Sequence, residues 1–295
     1  MRWTLWIAFA VLCVLSGTSW VIPVETTAGL PTLEQQGILF GVIGLIALVF
    51  AGRGIRVRVT GWGLAVAAVG FSGVPMVVAE YARGSVPAIS RSALFAMVPI
   101  VVVMVLAAGE ATADEERGAR RFLVPALVGL SGFLLLLPLQ FSGSLRGWLM
   151  LSVVCVAVIL VGIASVWLYR LLRGVGFADA VSVLGIANAV FLLAWSAVRG
   201  EIVWRGSGLV SAVSISSLVD VVEVLLIVWL LREMSPVRFA ARYLLIPLLT
   251  VLESYVSMRP EWTWRMGFGT ALLAVGAGVL LFWKAGEEEA GLSLR

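Results

Sequence analysis

Histidine is absent from the 295-residue chain, which removes Ser-His-Asp triads, imidazole proton relays and imidazole metal ligation in one step. Cysteine is almost as scarce. Cys13 and Cys155 each lie inside an apolar run, so the chain carries neither a disulfide framework nor a CxxC metal or redox pair. Charge is thin at 13% of residues, against about 25% in soluble domains. No basic patch with interleaved aromatics occurs, so the net charge of +4 reflects arginines at the ends of apolar segments, and no nucleic-acid partner is expected. These absences leave no catalytic residue, metal or cofactor to assign, and an enzyme is not expected.

What the chain has in abundance is apolar side chain: 61% of residues are hydrophobic and the mean hydropathy is +1.07. Apolar runs of about bilayer-spanning length alternate with short charged or turn-rich breaks. They predict ten transmembrane spans, the first five being Leu5–Pro23, Gly37–Ala51, Gly61–Tyr81, Pro87–Ala108 and Phe122–Pro138. The second five are Trp148–Leu171, Ala178–Val198, Leu209–Leu231, Val237–Met258 and Trp262–Trp283. Arg2 followed by an apolar run and small residues at Ser16–Ser19 could mark a signal peptide, but its removal would leave nine spans, so the first run is read as retained. The longest connections, Val24–Gln36 and Gly109–Arg121, leave no room for an extramembrane domain. The lipid bilayer is thus the principal partner.

Lys and Arg are retained on the cytoplasmic side of membranes. With the N-terminus inside, the inner segments carry Arg53, Arg56, Arg58, Arg117, Arg120 and Arg121 among others, about twice the number on the outer segments. Both termini are therefore expected in the cytoplasm. Most of the tryptophans, including Trp3, Trp62, Trp148 and Trp283, fall near span ends and read as interfacial anchors.

The fourth and fifth spans and the ninth and tenth share a pattern. Each pair opens with Pro (Pro87, Pro236), carries a second Pro within the span (Pro99, Pro247), then restarts from Arg into a Gly-bearing apolar run. Pro removes a helix hydrogen bond and crowds the preceding turn, so Pro99 and Pro247 are candidate hinges. Five spans per half would make the halves enter the membrane from opposite sides, a recurring construction of secondary transporters. The expected division is residues 1–140 as the first five-helix repeat, 141–286 as the second and 287–295 as a cytoplasmic tail.

Ser16-Gly17-Thr18-Ser19-Trp20 closing the first span, Pro99 and Gly109-Glu110 in the fourth, and the Arg121…Gly129…Gly132 and Arg265…Gly267…Gly276…Gly278 stretches resemble the drug/metabolite transporter superfamily, in particular its EamA-type ten-helix members. The chain departs from that pattern at Val98 and Ile246, where the family usually has Glu before Pro, and at Met258-Arg259-Pro260, where it has Gly-Glu. The resemblance implies an all-α membrane fold of two inverted five-helix repeats in the inner (plasma) membrane of a bacterium. It also implies export or import of a small metabolite such as an amino acid, through a central cavity to which spans 1, 4 and 6 contribute.

Ser216, Ser217, Asp220 and Glu223 span roughly 120° of one face of the eighth span, with Asp220 about midway along it. A carboxylate facing lipid is costly, so this stripe should face a bundle interior or a wet cavity. Ionised together, the two acids repel, so sharing one proton suits proton-coupled exchange, although an arginine from another helix would neutralise them equally well. Arg242 and Glu253 share a face of the ninth span, about 16 Å apart along its axis. Arg242 could answer an acid on the eighth span or a substrate carboxylate. Trp20, beside Ser19, and Trp195, beside Ser196, are further candidate cavity residues. The function expected is transport of a small amino-acid-like or amphipathic metabolite by alternating access, with protons as the candidate coupling ion. The alternative is a membrane scaffold or sensor whose buried charges only fasten the bundle. The oligomeric state is not specified by the sequence.

Overall fold

The structure, a computed structural model, describes residues 3–18, 32–51, 59–109, 120–137, 143–202, 215–258 and 263–283. The described residues are helical and contain no strand, and each of the ten apolar runs holds a helix. These are α1 (Trp3–Thr18), α2 (Thr32–Phe50), α3 (Val59–Ala68) continued through a π-helical turn (Val69–Gly73) into α4 (Val74–Ala82), α5 (Ala88–Phe95), α6 (Val98–Gly109) and α7 (Leu123–Leu136). The second half has α8 (Leu145–Leu172), α9 (Phe177–Val198), α10 (Ile215–Glu233), α11 (Pro236–Ala240), α12 (Arg242–Met258) and α13 (Trp264–Phe282).

Six of the helical stretches are long and apolar enough to cross a membrane. Their surfaces show which solvent they face. On α2, Leu33, Gly37, Phe40, Gly44 and Ala47 are buried at helical spacing, yet the opposite face is also apolar, with Leu45, Ile46 and Val49 exposed. A water-facing helix would be polar there. Hydrocarbon on the outside and packed side chains on the inside make this an integral membrane protein.

Helix ends follow local chemistry. Thr263 caps α13, its hydroxyl accepting from the Met266 amide at 3.4 Å. Pro236 occupies the first position of α11, where a missing N–H costs nothing. At the end of α9, Gly200 takes a left-handed φ of 67°, which lets the Glu201 amide reach Ser196 O and the Gly200 amide reach Ala197 O, both at 3.0 Å. These bonds close the helix with a Schellman motif.

Two spans are interrupted. The fourth breaks at Ala96–Met97 between α5 and α6, so Pro99 sits in the first turn of the second segment. The ninth breaks at Ala241, six residues before Pro247, which lies inside the continuous α12. The third carries the π-helical turn, in which the Val74 amide bonds to Val69 O, one residue beyond α-helical spacing.

The helices form two compact units that do not coincide with the halves 1–140 and 141–286. The first contains residues 1–81 and 167–234, the second 82–166 and 235–295. Each unit therefore draws helices from both halves, and glycine contacts give the physical reason. In the first unit Gly37 lies against Leu193, Gly41 against Ala189 and Gly44 against Ile186 and Gly185. Numbers rise on α2 as they fall on α9, so the two helices run antiparallel. In the second unit Gly129 lies against Gly276, and Gly132 against Leu273 and Gly269, so α7 and α13 are likewise antiparallel. A Cβ on Gly185 would fall 2.6 Å from Gly44 Cα, and one on Gly276 would fall 2.5 Å from Gly129 Cα. Backbones this close gain van der Waals and Cα–H···O contacts, a main source of helix association where lipid competes equally for apolar side chains. Gly278, two residues further on, has open space around its Cβ direction and makes no such contact.

Candidate functional site

In the first unit, α2 and α10 bring an amide to a carboxylate. Helix α2 begins at Thr32, five residues before the start expected at Gly37, and so takes Glu34 and Gln36 out of the predicted loop and into its first turns. Glu34 there favours the positive end of the helix dipole and is buried, with 1% exposure. Gln36 Nε2 donates to Asp220 Oδ2 at 3.3 Å.

Asp220 is half-buried and lies in the second turn of α10 as described, about one turn before that helix's middle. One turn further on, Val224 packs against the cluster of Leu33, Phe40, Val77, Ala189 and Leu192, so the Asp220 face of α10 turns towards α2, α4 and α9. The single bond from a neutral amide is Asp220's only hydrogen bond among the described residues, and no described cation forms a salt bridge with it. A carboxylate offers about four acceptor positions. Asp220 therefore keeps most of its capacity for another donor.

An aromatic group borders the same cluster. Tyr81 and Phe191 pack on it, and the Trp195 indole donates to Tyr81 Oη at 3.3 Å with the rings edge-on, centroids 6.2 Å apart. The Arg199 guanidinium lies 4.9 Å from the Tyr81 ring centroid and pairs with Glu201 at 3.4 Å. Nearby in the same unit, Asn188 is fully buried and donates from Nδ2 to Leu184 O at 3.0 Å. Its Oδ1 faces Gly73 in the π-helical turn, where an added Cβ would stand 2.9 Å away. Such turns recur at functional sites.

Glu223 lies one turn beyond Asp220 and is half-buried. Ser216 and Ser217 fall in the first turn of α10, described in its backbone only. Trp20 lies outside the described residues. Arg242 and Glu253 belong to the second unit, with Arg242 at the first residue of α12, beside the Ala241 break.

Arg242 is nearly enclosed, at 6% exposure. Its guanidinium lies 4.1 Å from the Phe239 ring centroid and 4.7 Å from that of Tyr243, and Nη2 donates to Tyr243 Oη at 2.8 Å. Tyr243 in turn stacks on Phe95 at 6.2 Å. This aromatic cage joins α5, α11 and α12 and offsets the placement of a cation at a helix N-terminus, the unfavourable end of the dipole. Arg242→Leu is expected to cost about 2 kcal/mol, the size of a desolvated cation–π interaction, seen as a lower unfolding midpoint in detergent. An unchanged midpoint would show that the cage does not depend on the cation.

Sequence reasoning missed Glu34, Gln36, Tyr81 and Asn188. The first two had a usable signal, since Thr32-Leu33-Glu34-Gln35 carries the spacing of a capping box and marks a helix start. Among the described residues no group of three or more acidic or sulfur side chains is placed to hold a metal.

No family model matches the sequence, and no curated protein is similar to it. Solved structures do match in shape. One, described only as a crystal structure of a protein, aligns over 95% of this chain and 98% of its own length with a TM-score of 0.70 and 19% identity. At that identity the likeness is one of fold: the arrangement of helices along almost the whole chain is one that a solved protein also adopts.

Proposed function

We propose that this chain is a secondary transporter of the EamA type, which moves a small amino-acid-like or amphipathic metabolite by alternating access, with Asp220 as a substrate or proton contact. The observation that carries the reading is the state of Asp220, an acid in a membrane protein held by one 3.3 Å bond from a neutral amide. An acid kept only for structure would be expected to have a cation or several donors. Asp220 instead keeps acceptor positions for a proton or a substrate amine, one turn from Val224, which packs on the same cluster as Tyr81.

The inverted-repeat reading draws support from the two antiparallel glycine pairs. They join the second span to the seventh and the fifth to the tenth, partners five spans apart in both cases. If all ten helices cross the membrane, partners five crossings apart run in opposite directions, and a two-fold axis in the membrane plane would map each pair onto itself. The interruptions of the fourth and ninth spans, each followed by a proline, are the natural hinges of that scheme.

The test is reconstitution. Purified protein is screened for thermal stabilisation by a panel of amino acids, amines and small amphipathic metabolites, and the stabilising compounds are then assayed for counterflow in proteoliposomes. A ligand that stabilises the protein and exchanges across the vesicle wall is the expected result. Ligand binding without flux at any pH gradient would overturn transport and favour a sensor.

Orientation is tested separately by single-Cys labelling in a background lacking Cys13 and Cys155. Positions in Val24–Leu30 are expected to react only from outside, and the C-terminal tail only from the cytoplasm. The reverse pattern would overturn the proposed inner-membrane topology with both termini inside.

A further inference from the structure

At the opposite end of α2 from Gln36, the first unit contains an apolar slot with a volume of about 330 Å³. One wall is α2 from Val42 to Phe50, another is the start of α9 at Phe177, Ala178 and Val181, and the third is α10 at Val221 and Leu225. No polar side chain lines it. Val42, Ile46, Phe50 and Phe177 are 47%, 55%, 76% and 39% exposed, so the slot opens outwards and no other described helix of its unit covers it.

Its proportions limit the occupant. Eight residues of helix from Val42 to Phe50 give a length of about 12 Å, so the volume corresponds to a cross-section of roughly 30 Å². An α-helix with its side chains is about 10–12 Å across, or roughly 80–110 Å². A helix from another protein or a second copy would fill the slot only with side chains laid across it, whereas a single hydrocarbon chain can lie along its floor, and the bilayer consists of such chains.

Charge at one end selects among lipids. Arg173 is exposed and precedes Phe177 by four residues, so the two Cα atoms are no more than about 14 Å apart across the Gly174–Val175–Gly176 turn. Its guanidinium is oriented by a hydrogen bond to Tyr169 Oη and lies 4.5 Å from that ring centroid. The sequence after Phe50 also carries Arg53, Arg56 and Arg58. Basic clusters beside membrane helices attract anionic headgroups.

We propose that the slot between α2, α9 and α10 binds one acyl chain of an anionic phospholipid whose phosphate lies against Arg173. The site is independent of Asp220 and of transport.

The experiment uses the full-length protein in nanodiscs containing phosphatidylglycerol with a photoactivatable diazirine on one acyl chain, or the same label on phosphatidylcholine. Crosslinked residues are located by mass spectrometry. Crosslinks are expected to concentrate on Ile46, Ala178 and Val221, with at least fivefold higher yield from phosphatidylglycerol. Arg173→Gln should erase the headgroup preference while leaving acyl crosslinks in the slot. Ala178→Leu, or Ala47→Leu should the first fail to fold, should fill the slot and cut its crosslinks at least fivefold, leaving labelling of other exposed apolar residues such as Val198 unchanged. Even labelling of all exposed apolar faces, or slot labelling that neither substitution alters, would overturn the proposal. So would equal yield from the two lipids, or crosslinks in the slot to a second copy of the chain.

Discussion

Asp220→Asn is expected to insert, fold and resist heat like the wild type, yet to lose at least tenfold in transport and all response to a pH gradient. Asn keeps the shape of the side chain and an oxygen that accepts from Gln36 Nε2, so the one hydrogen bond made by Asp220 survives. What disappears is the negative charge and the site for a proton. A structural role predicts the opposite result, because a hydrogen-bonded interior group is replaced here by its nearest neutral equivalent. Glu223→Gln, one turn away, should reproduce the defect only if the two acids titrate as a coupled pair. Wild-type flux with intact pH dependence in Asp220→Asn would remove Asp220 from the mechanism.

A second large effect, in stability, is expected from two glycines two residues apart on α13. A Cβ on Gly276 would stand 2.5 Å from both N and Cα of Gly129, whereas a Cβ on Gly278 would meet nothing within 4 Å. Backbone cannot swing aside as a side-chain terminus can, so α7 and α13 would have to separate. Gly276→Ala should cost at least the 1–3 kcal/mol typical of overpacking, and Gly276→Leu should abolish the folded protein. Gly278→Ala should instead stabilise by about 0.5–1 kcal/mol, since it replaces a flexible residue in an open helical position with a good helix former. Unfolding midpoints in detergent decide it. Equal effects of the two Ala substitutions would contradict the close α7–α13 crossing.

Much of the helical plan was legible in the sequence because lipid imposes a simple rule, that apolar runs of bridging length become helices. The ends were less legible, for identifiable reasons. Helix α2 starts at Thr32 instead of Gly37, since Glu34 and Gln36 are polar and a hydropathy reading places polar residues in loops, whereas inside the fold Gln36 meets Asp220. The breaks at Ala96–Met97 and Ala241 lie in stretches whose hydropathy barely changes, and only the nearby prolines hinted at them. Asp220 could be singled out from the cost of an acid in an apolar span. Tyr81 could not, because an aromatic residue near a span end looks like an interfacial anchor until a partner is seen. Nor does a sequence reveal that Gly276 faces a neighbouring backbone while Gly278 does not. That depends on the rotation of one helix against another.

The glycine pairing of α2 with α9 also carries a consequence for synthesis. Roughly 140 residues separate Gly44 from Gly185, and at about 5–20 residues per second the ribosome needs roughly 7–28 s to deliver the second after the first. Throughout that interval the notch of α2 has only lipid to face, and α7 then waits similarly for α13. The first half leaves the translocon with both of these backbone contacts unmade. A nascent chain stalled between the halves would present two open notches to lipid at once.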